Sequence, residues 1–259
     1  MPFPNHERKV FKTNTIESMI IQFRFSPILR IQTEIPAKFQ DKIIKEFPNY
    51  QRQDVNEHIV DINNNLQGNN ISSNIIPNTK HIFSNPDNGT AIVLEKTFLS
   101  FESRSYTNWE ECLSCFLIGL QALLAEYTPA AFSRIGLRYT NLYQKSKLNL
   151  ENIEWSKLFC KEIIGWLGAD EKIREATRKF SSTAEIQLDD DLSFARVSSK
   201  LVKKDEEPCL VLDSDFYFNG ILKDKEEALD KLVFLHTRST NLLHFELSEQ
   251  LKKALDLEN

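Results

Sequence analysis

The sequence predicts an α+β fold, an antiparallel sheet covered by long apolar helices, and three observations carry that prediction. Residues 18–27 and 132–143 alternate apolar and polar positions with a period of two, the pattern of half-buried strands. Residues 109–127 and 226–255 hold apolar residues at helical spacing over many turns. The cluster Asn85-Pro86-Asp87-Asn88-Gly89 separates two strand-like runs as a hairpin turn does.

In order along the chain, residues 1–15 form a polar, flexible leader. Met19, Ile21, Phe23 and Phe25 then point one way from a strand, with Ile20, Gln22, Arg24 and Ser26 opposite. Pro36 opens a short helix carrying Phe39, Ile43 and Phe47, and Pro48 stops it. Residues 51–78, rich in Asn and Ser, read as a loop with one poor strand at 59–62. A hairpin follows, its first arm at 80–83 and its second, longer arm at 90–103. Asn108 and Glu111 hold capping-box positions for the helix that Pro129 ends. In the next strand Ile135, Leu137 and Tyr139 oppose Arg134, Gly136 and Arg138.

The second half repeats the theme. A helix is expected over 155–166 and strands over 178–188, 192–202 and 208–218, with Asp189-Asp190-Asp191 as a solvated turn. No Gly or Pro interrupts 226–255, which predicts one helix of roughly 45 Å. The two halves, 16–147 and 148–259, look alike in element order without residue-level repetition, so two similar sheet-plus-helix halves and one continuous domain are both open.

Composition bounds the function. A chain of 259 residues, 41% hydrophobic and 27% charged, buries a core without metal or disulfide, which excludes disordered and fibrous classes. Its 37 acidic against 32 basic residues leave a net charge of −5, too mild and mixed for bulk binding of nucleic acid or anionic lipid. The leader lacks a signal-type apolar stretch and no apolar run is long enough to span a bilayer, so a cytoplasmic protein is expected. Its four cysteines are then read as reduced core residues.

Most site chemistries fail at the level of spacing. Cys112 and Cys115 have redox or zinc spacing, but sit within an apolar helix without a second ligand pair. His236 and His244 lie eight apart and share no close ligand pair, and the phosphate-loop, dinucleotide and hydrolase-nucleophile motifs are absent. No metal or cofactor is therefore expected. Asp213 and Asp215 fall on one face of a strand, as a hard-metal site needs, with Tyr217 beyond them. Arg24, Arg134 and Arg138 occupy polar strand positions, where they either neutralise those carboxylates or bind an anion. With Tyr139 these residues form the candidate ligand-binding set.

Five segments read in order along the chain, IESMIIQFRFSP (16–27), FESRSYTNWEECLSCF (101–116), RIGLRYTNL (134–142), LVLDSDFY (210–217) and LHTRSTNLLHFELSEQL (235–251). Together they resemble an uncharacterised, sporadically distributed prokaryotic family of proteins of about this length. Here residues 9–15 replace the usual proline-rich strand leader, and LDSD departs from the commoner LDID. The resemblance implies a shared fold and a prokaryotic source, and brings no activity with it. The family's patchy distribution is similar to that of genes on mobile and defence islands.

Two functional classes lead. The first is a non-enzymatic recognition or sensor protein acting with a partner, in prokaryotic antiphage defence on the genomic hint. That partner is the product of a neighbouring gene, or a second copy joined through the C-terminal helix, whose Glu246, Glu249, Gln250 and Lys253 are expected on an exposed face. The second is a small-ligand or anion-binding domain with its site between the halves. A metal-dependent enzyme built on Asp213 and Asp215 ranks third.

Overall fold

The computed structural model describes residues 2–65 and 68–256, with side chains throughout except those of residues 56–76. Nine strands lie in it: β1 (Ile16–Phe25), β2 (Asn49–Asn65), β3 (Gly68–Asn85), β4 (Thr90–Glu95), β5 (Phe98–Ser103), β6 (Phe132–Tyr143), β7 (Ser181–Gln187), β8 (Ser193–Lys204) and β9 (Glu207–Leu222). They join in one sheet of order β2-β3-β4-β5-β1-β6-β9-β8-β7, each neighbouring pair antiparallel. The helices are α1 (Leu29–Thr33), α2 (Ala37–Ile43), α3 (Trp109–Glu126), α4 (Trp155–Leu158), α5 (Lys161–Ile164), α6 (Glu171–Ala176), α7 (Lys225–Glu246) and α8 (Glu249–Asp256). The α+β class predicted from period-two strands and apolar helices is the observed one.

Strand order makes the two halves counterparts. β1 and β6 form the central pair, and beside each lies the last strand of its own half, β5 or β9, with the remaining strands stepping outward. A long helix follows each meander, α3 against β5 and α7 against β9 and β6. By topology, one meander runs from β1 to β5 and the other from β6 to β9. Alternation explains why the helices share a face. Ile21 pairs with Leu137, Leu137 with Phe216 and Phe216 with Ala195, a buried apolar row across four strands. Phe116 of α3 packs on Phe23 with ring centroids 4.8 Å apart. A Cβ at Gly119 would lie 2.8 Å from Ile92 Cδ1, so glycine lets α3 seat closely on the sheet.

Helix α3 begins as its sequence dictates, with Asn108 Oδ1 accepting from the Glu111 amide at 2.9 Å. Four other expectations are corrected. Residues 51–65 and 68–78 lie in two paired antiparallel strands rather than a loop: β2 and β3 pair from Asn49↔Ser84 to Asn65↔Gly68. Backbone groups hold such a ladder, so a run poor in apolar residues disguised it. The side chains of residues 59–62, read as one poor strand, lie outside the described residues. The expected long arm at 90–103 folds back as two strands, its turn anchored by Phe25 N→Thr97 O and Ile28 N→Lys96 O at 2.9 and 2.8 Å.

The expected helix over 155–166 breaks into α4, α5 and a 3-10 turn, because Phe159 is extended and bridges Leu247, and Gly165 takes φ +42°. That bridge also divides the expected 45 Å helix. Leu247 is extended (ψ 133°), Ser248 N bonds Leu158 O at 2.9 Å, and Ser248 Oγ receives the Leu251 amide at 3.2 Å. Helix α8 thereby turns back against α4. Residues 2–15 lie as a strap over α7 and α8: the His6 amide bonds Asn241 Oδ1 at 3.1 Å, and Thr13 N bonds Leu255 O at 2.9 Å. Phe3, 5% exposed, gives the strap an apolar anchor.

Candidate functional site

The seven residues singled out by sequence fall on both faces of the sheet. Arg134, Arg138, Asp213, Asp215 and Tyr217 share the face that carries no helix, and Tyr139 points the opposite way into the core. Arg138 grips Asp213 with Nε–Oδ1 at 2.6 Å and Nη2–Oδ2 at 2.5 Å. Arg134 Nη2 donates to Asp215 Oδ2 at 3.0 Å, and the guanidinium lies over the Tyr217 ring with Cζ 4.7 Å from its centroid. Gly136 makes room for this, since a Cβ there would meet Arg134 Nη1 at 2.5 Å. The Tyr217 hydroxyl donates to Glu185 at 2.6 Å, and Arg196 binds the same carboxylate at 2.8 Å. Arg24, register partner of Arg134, is exposed and has no ion pair among the described residues.

These contacts are the internal ion-pair arrangement weighed for the sequence. Burial raises the Asp215 pKa despite the neighbouring guanidinium groups, and the hydrogen bonds that Arg138 donates to Asp213 raise the pKa of Arg138. A cation at Asp213 and Asp215 would have to displace both arginines. Among the described residues no three His, Cys, Asp or Glu side chains are grouped to hold a metal. Cys112 is buried, its thiol pushed up to about 12 by desolvation. The Asp189–Asp191 turn, read as solvated, is tied to α7 by Arg238 to Asp189 and by Lys231 Nζ to Asp190 at 2.9 Å.

A cavity lies on the other face. With a volume of about 130 Å³, it sits between the inner side of β6 and β9 and helix α7, roofed by strap residues 8–16. Alternation on β6 aims Tyr139, Asn141 and Tyr143 into it, and β9 contributes Ser214 and Phe216. From α7 come His236, Thr240, Leu243 and Glu246, at helical spacing on one face.

Polar groups inside are arranged in layers. The His236 ring stacks on Trp109 at 4.0 Å with planes 5° apart, and its Nδ1 is 3.2 Å from Tyr139 Oη. Desolvation first, and then Arg8, push the His236 pKa down to about 4, so the imidazole is neutral at physiological pH. Tyr106 meets Tyr139 edge-on, and Thr15 Oγ1 donates to Asn141 Oδ1 at 3.0 Å. Three buried atoms of lining residues then have no hydrogen-bond partner among the described residues: Tyr143 Oη, His236 Nε2 and Glu246 Oε1. Such atoms each cost on the order of 1–3 kcal/mol unless something answers them.

Glu246 is the largest departure from expectation. Placed on an exposed helix face by sequence, it is 3% exposed, and burial pushes its pKa up to about 8. A signal for this was legible: Glu246 follows Leu242 by four and Leu243 by three, the spacing of a buried stripe. Charge at the mouth is settled differently. Arg8 is paired with Glu110, Nη2–Oε2 at 2.9 Å, and Lys9 with Asp256. The Arg8 hydrogen bond draws Glu110 down to about 2.

The chain matches no family model, no curated protein and no solved structure. Among the described residues no helix is long and apolar enough to cross a membrane.

Proposed function

We propose that this chain is a small-molecule-binding protein whose ligand occupies the cavity between α7 and the inner face of β6 and β9, beneath the strap. One observation carries the reading: Tyr143 Oη, His236 Nε2 and Glu246 Oε1, unpartnered among the described residues, all belong to side chains that line one cavity. Folding leaves buried polar atoms unanswered at a cost, and convergence in a cavity is the arrangement that a ligand's own polar atoms relieve. The site draws on both halves, since Tyr106 and Ile16 come from the first and β9 and α7 from the second.

Thermal-shift measurements against amines, carboxylates, sugars and nucleosides test it. A ligand at a hundred times its Kd is expected to stabilise by about 2.7 kcal/mol, and Tyr143→Phe to weaken that gain. A panel that moves neither the wild type nor any cavity variant removes the reading.

A second reading, recognition of a protein partner, has its own observation. β3 pairs with β4 only from His81 onward, so residues 68–77 carry β2 on one side and no second neighbour among the described residues. A two-stranded ribbon with an open edge is suited to accept a partner's strand. Replacing residues 56–77 by Asn-Gly keeps the rungs between 49–54 and 79–84, so the sheet is expected to fold and partner binding to disappear. Unchanged co-purification of the neighbouring gene's product would count against it.

A further inference from the structure

We infer that the cavity's occupant is a small organic cation, an alkylammonium received by Glu246 as its counter-ion, an inference that rests on the small-molecule reading above. The lining sets the sign of the charge. Both basic residues at the cavity are already engaged, Arg8 with Glu110 and Lys9 with Asp256. Glu246 lines the space with Oε1 unpartnered, and no base in the lining answers it. A buried carboxyl without a partner is costly, and a cation entering beside it converts that cost into attraction.

The rest of the lining suits the same guest. Tyr106, Tyr139, Tyr143, Phe11 and Phe216 surround the space with aromatic rings, whose faces attract ammonium groups. Tyr143 Oη and His236 Nε2 supply two further sites for N–H donors, the imidazole accepting when its proton is on Nδ1 and given to Tyr139. Size limits the class. A cavity of roughly 150 Å³ admits a benzene-sized guest, so about 130 Å³ here admits about five or six non-hydrogen atoms.

Binding is then linked to a proton. Tyr139 and Tyr143 on β6, Tyr106 ahead of α3 and Cys160 beyond α4 stay protonated through pH 8, burial raising all four. His236 stays neutral above about 4, and Arg8 and Lys9 remain paired, while His6 and His244 stack on each other outside the lining. Glu246 is thus the lining group whose charge changes between pH 5 and 8. Entry of the ammonium releases the carboxyl proton to solvent and leaves a carboxylate–ammonium pair, which conserves charge.

Calorimetric titration of the full chain with isobutylamine, isobutanol and isobutyrate decides the matter. The amine is expected to bind, with Kd tightening about tenfold from pH 6 to pH 7 and close to one proton released per amine. Glu246→Gln, a near-isostere of the protonated acid, is expected to abolish both the binding and the proton release. Tyr143→Phe is expected to weaken binding several-fold and keep its pH dependence. Isobutanol or isobutyrate binding as tightly as the amine, or amine binding that survives Glu246→Gln, overturns the cation assignment and leaves the small-molecule reading intact. No heat from any of the three also overturns it. If the wider thermal-shift panel is silent as well, the cavity reading falls with it.

Discussion

Glu246→Gln is expected to stabilise the protein above neutral pH and to leave its stability unchanged near pH 5. The folded chain holds this carboxyl at about 8 against an ordinary value of 4.5, because burial disfavours the charged form. Between those values the folded state binds a proton that the unfolded state has lost, so stability falls as pH rises through the window. At about 1.4 kcal/mol per pH unit, the wild type loses on the order of 4 kcal/mol from pH 5 to pH 8 through this group. That is a large part of the 5–15 kcal/mol or so that holds a typical domain. The variant keeps the shape without the titration. Urea unfolding of both proteins at each pH should give curves that coincide near pH 5 and diverge in favour of the variant by about 1.4 kcal/mol per unit.

His236 has the opposite sign, since a pKa lowered to about 4 makes stability rise with pH from about 4 to 6.5. It is common to both proteins and cancels in the difference. A difference that stays flat from pH 5 to 8 would show that Glu246 is ionised and solvated in the folded protein, and the account of the cavity would fail at its centre.

The outer sheet face gives a graded pair. Arg134→Met removes a guanidinium only 22% exposed, which pairs with Asp215 and lies over Tyr217, for an expected loss of roughly 2 kcal/mol in urea unfolding. Arg138→Met, at a guanidinium 48% exposed, is expected to cost under about 1 kcal/mol, and equal losses would contradict the burial difference. All four thiols are raised by burial, Cys112 to about 12 and Cys160 to about 11, so Ellman's reagent at pH 8 should react slowly with the native protein and fully in denaturant. Rapid labelling of the native protein would sink that statement. Ser248→Ala removes the hydroxyl that receives the Leu251 amide and should lower stability by about 1 kcal/mol, whereas an unchanged melting curve would mean α8 needs no cap.

Much of the sheet was legible because alternation is a local property. Met19 to Phe25 and Ile135 to Tyr139 announce their buried sides in seven and five residues, and the register of β1 on β6 follows once those sides must coincide. The ion pairs were half legible, since three arginines and two aspartates on polar strand positions call for each other. Which arginine meets which aspartate depends on β6 lying beside β9, a matter of strand order. The hairpin of β2 and β3 was illegible because its ladder uses backbone groups that every residue possesses.

By itself the sequence determined the α+β class, the buried sides of the central strands and the start of α3 at Asn108, all set by neighbours within a few positions. Only the tertiary structure decided the break at Leu247, which needs Phe159 as its strand partner, and the fate of Glu246. Spacing from Leu242 and Leu243 puts that side chain on the apolar stripe of α7, but not whether solvent reaches it there. It is buried because the strap, 230 and more residues away along the chain, closes over the space into which Glu246 points. Burial of a charge is decided by what covers it, and here the cover comes from the opposite end of the chain.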